Sequence, residues 1–180
     1  MRGPEQSGHI TAVGFDLYCQ LLKQSVSSLK GEKVKPRIEL QARLDFLADL
    51  SPVGGVGGDE EEESANSAHL PMNYVTEQRH RVEIYRKLAQ ATERAALEQL
   101  KKELRDRFGP LPAPAQLLLL VAELKLLAAE RKVSAIETKD GKLMLTRNND
   151  FITIGGMFPR LTKKTAEGKL REIKKLLLAI

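Results

Sequence analysis

Three histidines, one cysteine, a glycine-rich loop and a run of acids are the residues of this chain best placed to do chemistry. His9, His69 and His80 are widely separated, and Cys19 is the sole cysteine. Zinc sites are assembled from three or four His, Cys or carboxylate ligands, usually at short spacings, and these residues match no such pattern. Gly54-Gly55-Val56-Gly57-Gly58 precedes Asp59 and four glutamates. A phosphate-binding loop needs a Lys-Ser/Thr pair after its glycines, and acids there would repel phosphate. The stretch instead predicts a disordered acidic loop over residues 51–68, with almost nothing to bury. No GxxxxGK[ST], GxGxxG or GxSxG motif is present. The expectation is a chain that does no catalysis by itself and holds no metal or cofactor.

Basic residues are the other candidates. Lys163, Lys164, Lys169, Arg171, Lys174 and Lys175 cluster near the C-terminus, and Arg79, Arg81, Arg86 and Lys87 share a helical segment. Such faces can follow a phosphate backbone, which leaves an independent nucleic-acid-binding module as the alternative function. Without interleaved aromatics the solvated helix face is the favoured reading, with cations stabilised near a helix C-terminus. Glu103, Arg105, Asp106 and Arg107 mix signs as ordinary helix-surface pairs do.

The elements that would position these residues follow from composition and periodicity. At 180 residues, 42% hydrophobic, the chain can build one core with an appendage, and with only 4% aromatics that core is aliphatic. A net charge of +5 is compatible with nucleic acid without demanding it. A single cysteine excludes an internal disulfide and fits a reducing cytosol. The apolar run 117–122 is too short to span a bilayer, and the polar start lacks a signal peptide's apolar stretch. The expected location is cytoplasmic, with no membrane partner.

After Gly14, residues Phe15, Tyr18, Leu22, Val26 and Leu29 recur at helical spacing up to Gly31, with Cys19 beside that stripe as an inert buried thiol. Residues 37–46 alternate, Ile38, Leu40, Ala42, Leu44 and Phe46 facing one way, which predicts a half-buried strand. A helix is expected over 76–91 with Val82, Tyr85, Leu88 and Ala89 inside. A second carries Ala96, Leu97, Leu100, Leu104 and Phe108 on one face and stops at Gly109-Pro110; the sequence leaves open whether the two are continuous. Pro114 opens a third, with a wide apolar stripe of Leu117, Leu120, Val121, Leu124, Leu127 and Ala128. Asp140-Gly141 predicts a hairpin between strands 133–138 and 142–147, with 151–154 as a further strand. Residues 166–180 read as a helix burying Leu170, Ile173, Leu176 and Leu177. Grouped helices and strands give an α+β class: several helices on a small, mainly antiparallel sheet, preceded by a linker helix.

The opening stretch, residues 3–31, has no cap or staple of its own and reads as a continuation of something upstream. GPEQSGHI, VGFDLYCQLL, SLKGE, LPMNYV, RVEIYRKLAQA and LKKELRDRFGPLPAPAQLLL, in this order, resemble the C-terminal region of the bacterial transcription-repair coupling factors. The match runs from Gly3 to about Leu120, and more faintly to the end. The resemblance implies a piece of a large ATP-dependent double-stranded-DNA translocase that displaces stalled RNA polymerase and recruits the excision-repair protein UvrA. ATP and magnesium would belong to the remainder of that protein. Residues 1–34 would be the end of the helicase translocation motif, with Glu5, Gln6, Ser7 and Gly8 as its remnant, and a linker helix. Residues 35–180 would be the terminal regulatory domain, which packs on the repair-factor-binding domain and restrains the motor. The Gly- and Glu-rich insertion at 51–68 departs from the family's pattern.

Overall fold

The computed structural model describes residues 40–47 and 66–180. The expected linker helix, Cys19, the 5–8 stretch and residues 51–65 of the expected acidic loop lie outside them. The elements in order are β1 (Gln41–Leu44), α1 (Gln78–Gln90), α2 (Arg94–Phe108), α3 (Ala113–Glu130), β2 (Val133–Lys139), β3 (Lys142–Arg147), β4 (Asp150–Ile152) and α4 (Ala166–Ala179).

The four strands form one mixed sheet in the order β1-β2-β3-β4, with β1 parallel to β2 and the remaining pairs antiparallel. Both hairpins close through two-residue turns. Asp140 (φ 52°) and Gly141 (φ 75°) join β2 to β3, and Asn148 (φ 54°) and Asn149 (φ 63°) join β3 to β4. Two successive left-handed residues match the right-handed twist of a hairpin, and Asn is, after Gly, the residue that tolerates them best. Register then fixes which face is buried. Ile136 lies opposite Leu145, and Thr138 opposite Leu143, with Ala42 and Leu44 beside them on β1. These residues face the helices, whereas Arg43 and Glu137, also register partners, pair at 3.5 Å on the open face. A register shift between Val133 and Ala135 keeps Val133 buried despite the broken alternation.

Thr138 is a buried hydroxyl, and its hydrogen bonds explain its tolerance there. It donates to Asp45 Oδ1 at 2.6 Å and accepts from the Asp45 N–H at 3.0 Å. Asp45 Oδ2 also accepts from the Asp140 N–H at 3.0 Å. One carboxylate thus ties the end of β1 to the left-handed turn after β2.

The centre of the core is α3. Pro114 lies in its first turn, and the helix packs on α2, α4 and β2. The expected apolar stripe is a correction: burial extends around much of the helix, adding Ala115, Leu118, Leu119 and Ala122 to the predicted face. A helix enclosed by neighbours on several sides has no reason to keep a polar half. On α1 the buried positions are Ile84 and Leu88; Val82 is only partly buried and Ile84 takes the place assigned to it. On α2, Leu97, Leu100 and Leu104 are buried, but Ala96 is exposed. A methyl group weighs little against leucines in setting a helix's rotation. The α1–α2 junction is broken at Ala91, whose ψ of 122° leaves the helical region. Gly109 (φ 87°) ends α2, donating to Arg105 O. Within the stretch 66–68, assigned to the acidic loop, Ser67 and Ala68 are buried, so packing resumes earlier than expected. No helix among the described residues is long and apolar enough to cross a membrane.

Candidate functional site

Half of the ten predicted basic residues have side chains engaged in the fold: Lys169, Arg171 and Lys174 near the C-terminus, and Arg81 and Lys87 on α1. On α4, Arg171 pairs with Glu167 at 2.5 Å and Lys174 with Glu123 of α3 at 2.7 Å. Lys169 Nζ lies 5.0 Å from the centroid of the Phe46 ring, a cation–π contact to the segment after β1. Lys163, Lys164 and Lys175 are exposed. The Lys163 N–H at 3.1 Å and the Thr162 N–H at 2.9 Å both donate to Glu172 Oε2, and the Thr162 hydroxyl donates to Oε1. Burial alone would raise the Glu172 pKa, but these donors outweigh it and leave the carboxyl below its ordinary range. The cations assigned to one surface are therefore divided between pairs, a ring contact and open solvent.

On α1, Arg81 Nη1 donates to Val75 O at 2.7 Å and so anchors the loop before the helix. Lys87 Nζ meets Glu103 at 2.8 Å and Glu83 at 3.1 Å, and Arg107 meets Glu103 at 2.7 Å. This network joins α1 to α2 across their packed faces. Hydrogen bonds from Lys87 and then Arg107 hold the Glu103 carboxyl below its ordinary range, against an opposing burial effect, and the Glu103 bond raises Lys87. The mixed-sign pairing expected of 103–107 is found for Glu103 and Arg107. Arg105 makes no ion pair among the described residues.

Tyr74 reinforces the end of α2. Its hydroxyl lies 3.1 Å from Leu104 O and 2.9 Å from Gly109 O, and its ring is 5.9 Å from that of Phe108. Burial raises the phenol pKa, and Arg105 partly opposes this. The His80 ring lies tilted against Phe108, 6.0 Å between centroids, and His69 Nδ1 is 2.9 Å from Ser67 Oγ. Neither histidine belongs to a group of potential metal ligands among the described residues.

A groove of about 150 Å³ lies where α2, α3 and α4 converge. Its apolar part comes from Leu97, Leu111, Leu119 and Leu120. Arg94, Glu98, Lys101 and Arg105 of α2 line one side at steps of three and four, which place them on one helix face. That spacing is readable in the sequence, but only the fold sets the stripe beside leucines from α3. Glu5, Gln6, Ser7 and Gly8 lie outside the described residues.

Residues 65–153 match the family model described as the TRCF domain. The chain belongs to the TRCF-domain family. It is 35% identical over 121 residues to the transcription-repair-coupling factor of Buchnera aphidicola, covering 67% of this chain and 13% of that protein. The factors from Mycobacterium tuberculosis and Escherichia coli are also 35% identical, over 129 and 120 residues, covering 67% of this chain and 9% of each relative. The chain therefore spans only about a tenth of the length of the curated relatives it matches. In fold it is similar to the crystal structure of the C-terminal domain of a transcription-repair coupling factor. That likeness has a TM-score of 0.52 and 24% identity, covering 81% of this chain and 96% of the solved one.

Proposed function

We propose that this chain is the C-terminal regulatory module of a transcription-repair coupling translocase, acting by docking and not by chemistry. Family membership carries this reading, because the matched stretch is a small part of large coupling factors. Residues 35–180 would pack on the repair-factor-binding domain and restrain the motor, and residues 1–34 would connect them to the helicase domains. ATP, magnesium and double-stranded DNA would be bound by the rest of the protein, in the cytoplasm. RNA polymerase and UvrA would then be reached through the whole assembly.

The reading is supported by basic side chains committed to intramolecular pairs, Lys87 on α1 and Arg171 and Lys174 on α4, which are thereby less available to a phosphate backbone. Isothermal titration of the purified chain into the isolated repair-factor-binding domain of a coupling factor should give saturable, one-to-one binding. ATP turnover by the chain should be absent with or without DNA. Appreciable hydrolysis, or DNA affinity that collapses steeply with salt while the domain titration stays flat, overturns the docking role.

A further inference from the structure

We propose that the groove between α2, α3 and α4 is a docking site for an acidic peptide segment that inserts one aliphatic side chain. The inference rests on the docking reading above and assigns it a surface and a ligand chemistry. The groove's volume of about 150 Å³ suits one leucine-sized side chain, and Leu97, Leu111, Leu119 and Leu120 give that side chain an apolar seat. The seat is built on rigid elements, because α3 is the most enclosed helix of the described fold.

Charge decides what else the occupant carries. Arg94, Lys101 and Arg105 form a stripe along one edge and make no ion pair among the described residues. Across the groove, Glu167 is paired with Arg171 at 2.5 Å and Glu123 with Lys174 at 2.7 Å. Among the described residues Glu98 is the one lining carboxylate without an ion-pair partner, set against three such cations. The rim therefore offers an excess of positive charge, and two of its members are arginines able to grip a carboxylate with paired N–H donors. A nucleic acid fits this surface poorly. Among the described residues no aromatic lines the groove to stack a base, and three unpaired cations on one helix face are too few to follow a phosphate backbone. An acidic, leucine-bearing peptide satisfies both the rim and the seat.

The test uses the full chain and a fluorescein-labelled peptide, acidic throughout except for one central leucine. Two companion peptides replace that leucine by alanine or all acids by lysine. Binding is followed by anisotropy, and the site is mapped by amide chemical shifts. The expected result is saturable binding with shifts on residues 94–105 and 119–120. Affinity should fall about tenfold on removing the leucine, and at least as much in the variant Arg94→Glu/Lys101→Glu/Arg105→Glu. Circular dichroism checks that the variant folds, and the milder Arg94→Ala/Arg105→Ala pair replaces it if it does not. The proposal is overturned by no binding, by binding indifferent to the leucine, by shifts on another face, or by preferential binding of a single-stranded oligonucleotide. If the groove fails while the repair-factor-binding domain still titrates, docking uses another surface. If the peptide binds as expected and that domain does not, the groove stands and the regulatory partner is wrong.

Discussion

Gly168 should be a position where the usual helix-stabilising substitution reverses its sign. Replacing a glycine inside a helix by alanine ordinarily gains about 1 kcal/mol from restricted backbone freedom in the unfolded chain. Here a Cβ would lie 2.8 Å from Lys163 Cβ and 2.9 Å from Thr165 Oγ1. Lys163 Cβ is fixed to the backbone and cannot swing aside, and the Lys163 N–H is held by Glu172 at 3.1 Å. Thr165 Oγ1 is the N-cap of α4, accepting from the Gly168 N–H at 3.1 Å. Turning it away forfeits a cap worth about 1 kcal/mol. Moving Lys163 loosens a charged hydrogen bond worth roughly 1.5 kcal/mol or more. Against the propensity gain, Gly168→Ala should be net destabilising by about 1–2 kcal/mol. That corresponds to a Tm lower by roughly 3–6 °C in a chain of this size. Urea unfolding followed by circular dichroism gives the free energy directly. In a Lys163→Gly background, which removes the nearest contact, the penalty should shrink, and a double-mutant cycle isolates the coupling. A Gly168→Ala protein more stable than the parent would refute the close approach on which this reasoning depends.

Four further outcomes are expected. Tyr74→Phe should cost about 1 kcal/mol in chemical denaturation, because it removes the hydroxyl donor to Leu104 O and Gly109 O while keeping the ring against Phe108. Ile136→Ala, at a fully buried position facing Leu145, should cost about 2–5 kcal/mol, and a loss below about 1 kcal/mol would contradict the described register. Glu103 has its folded-state pKa depressed by Lys87 and Arg107, so it adds stability above the ordinary carboxylate range that disappears as pH falls through the folded value. Glu103→Gln should therefore lose about 1 kcal/mol near neutrality and flatten the acid limb of a Tm–pH profile. Burial lowers Lys125 to about 8 from its ordinary 10.5, so its contribution to stability rises with pH between those two values and is flat outside them. NMR titration of the Lys125 side chain should show a midpoint of about 8.

Much of the architecture was legible because local chemistry decides it. Gly109-Pro110 stops α2, Pro114 opens α3, and Asp140-Gly141 turns the β2–β3 hairpin where the sequence places them. The second hairpin was less visible. Its Asn148-Asn149 turn carries the same left-handed signal, but the strand after it is only three residues long and exposes Phe151. Helix rotation was legible where leucines dominate and was missed where a small or β-branched residue competed, as with Ala96 and Val82. The partition of the basic residues was not readable. Whether Lys174 reaches Glu123, or Lys169 reaches Phe46, depends on elements brought together across long stretches of chain.

By itself the sequence determined the α+β class, the punctuation of the helices and the resemblance to coupling factors, because turn residues, periodicity and motif order act within short windows. Only the tertiary structure decided that β1 lies parallel to β2, that α3 is enclosed, and that the α2 cations border a leucine-lined groove. Those outcomes depend on which surfaces exclude water together. That burial is settled by the packing of segments as far apart as Asp45 and Thr138, and no local pattern encodes it.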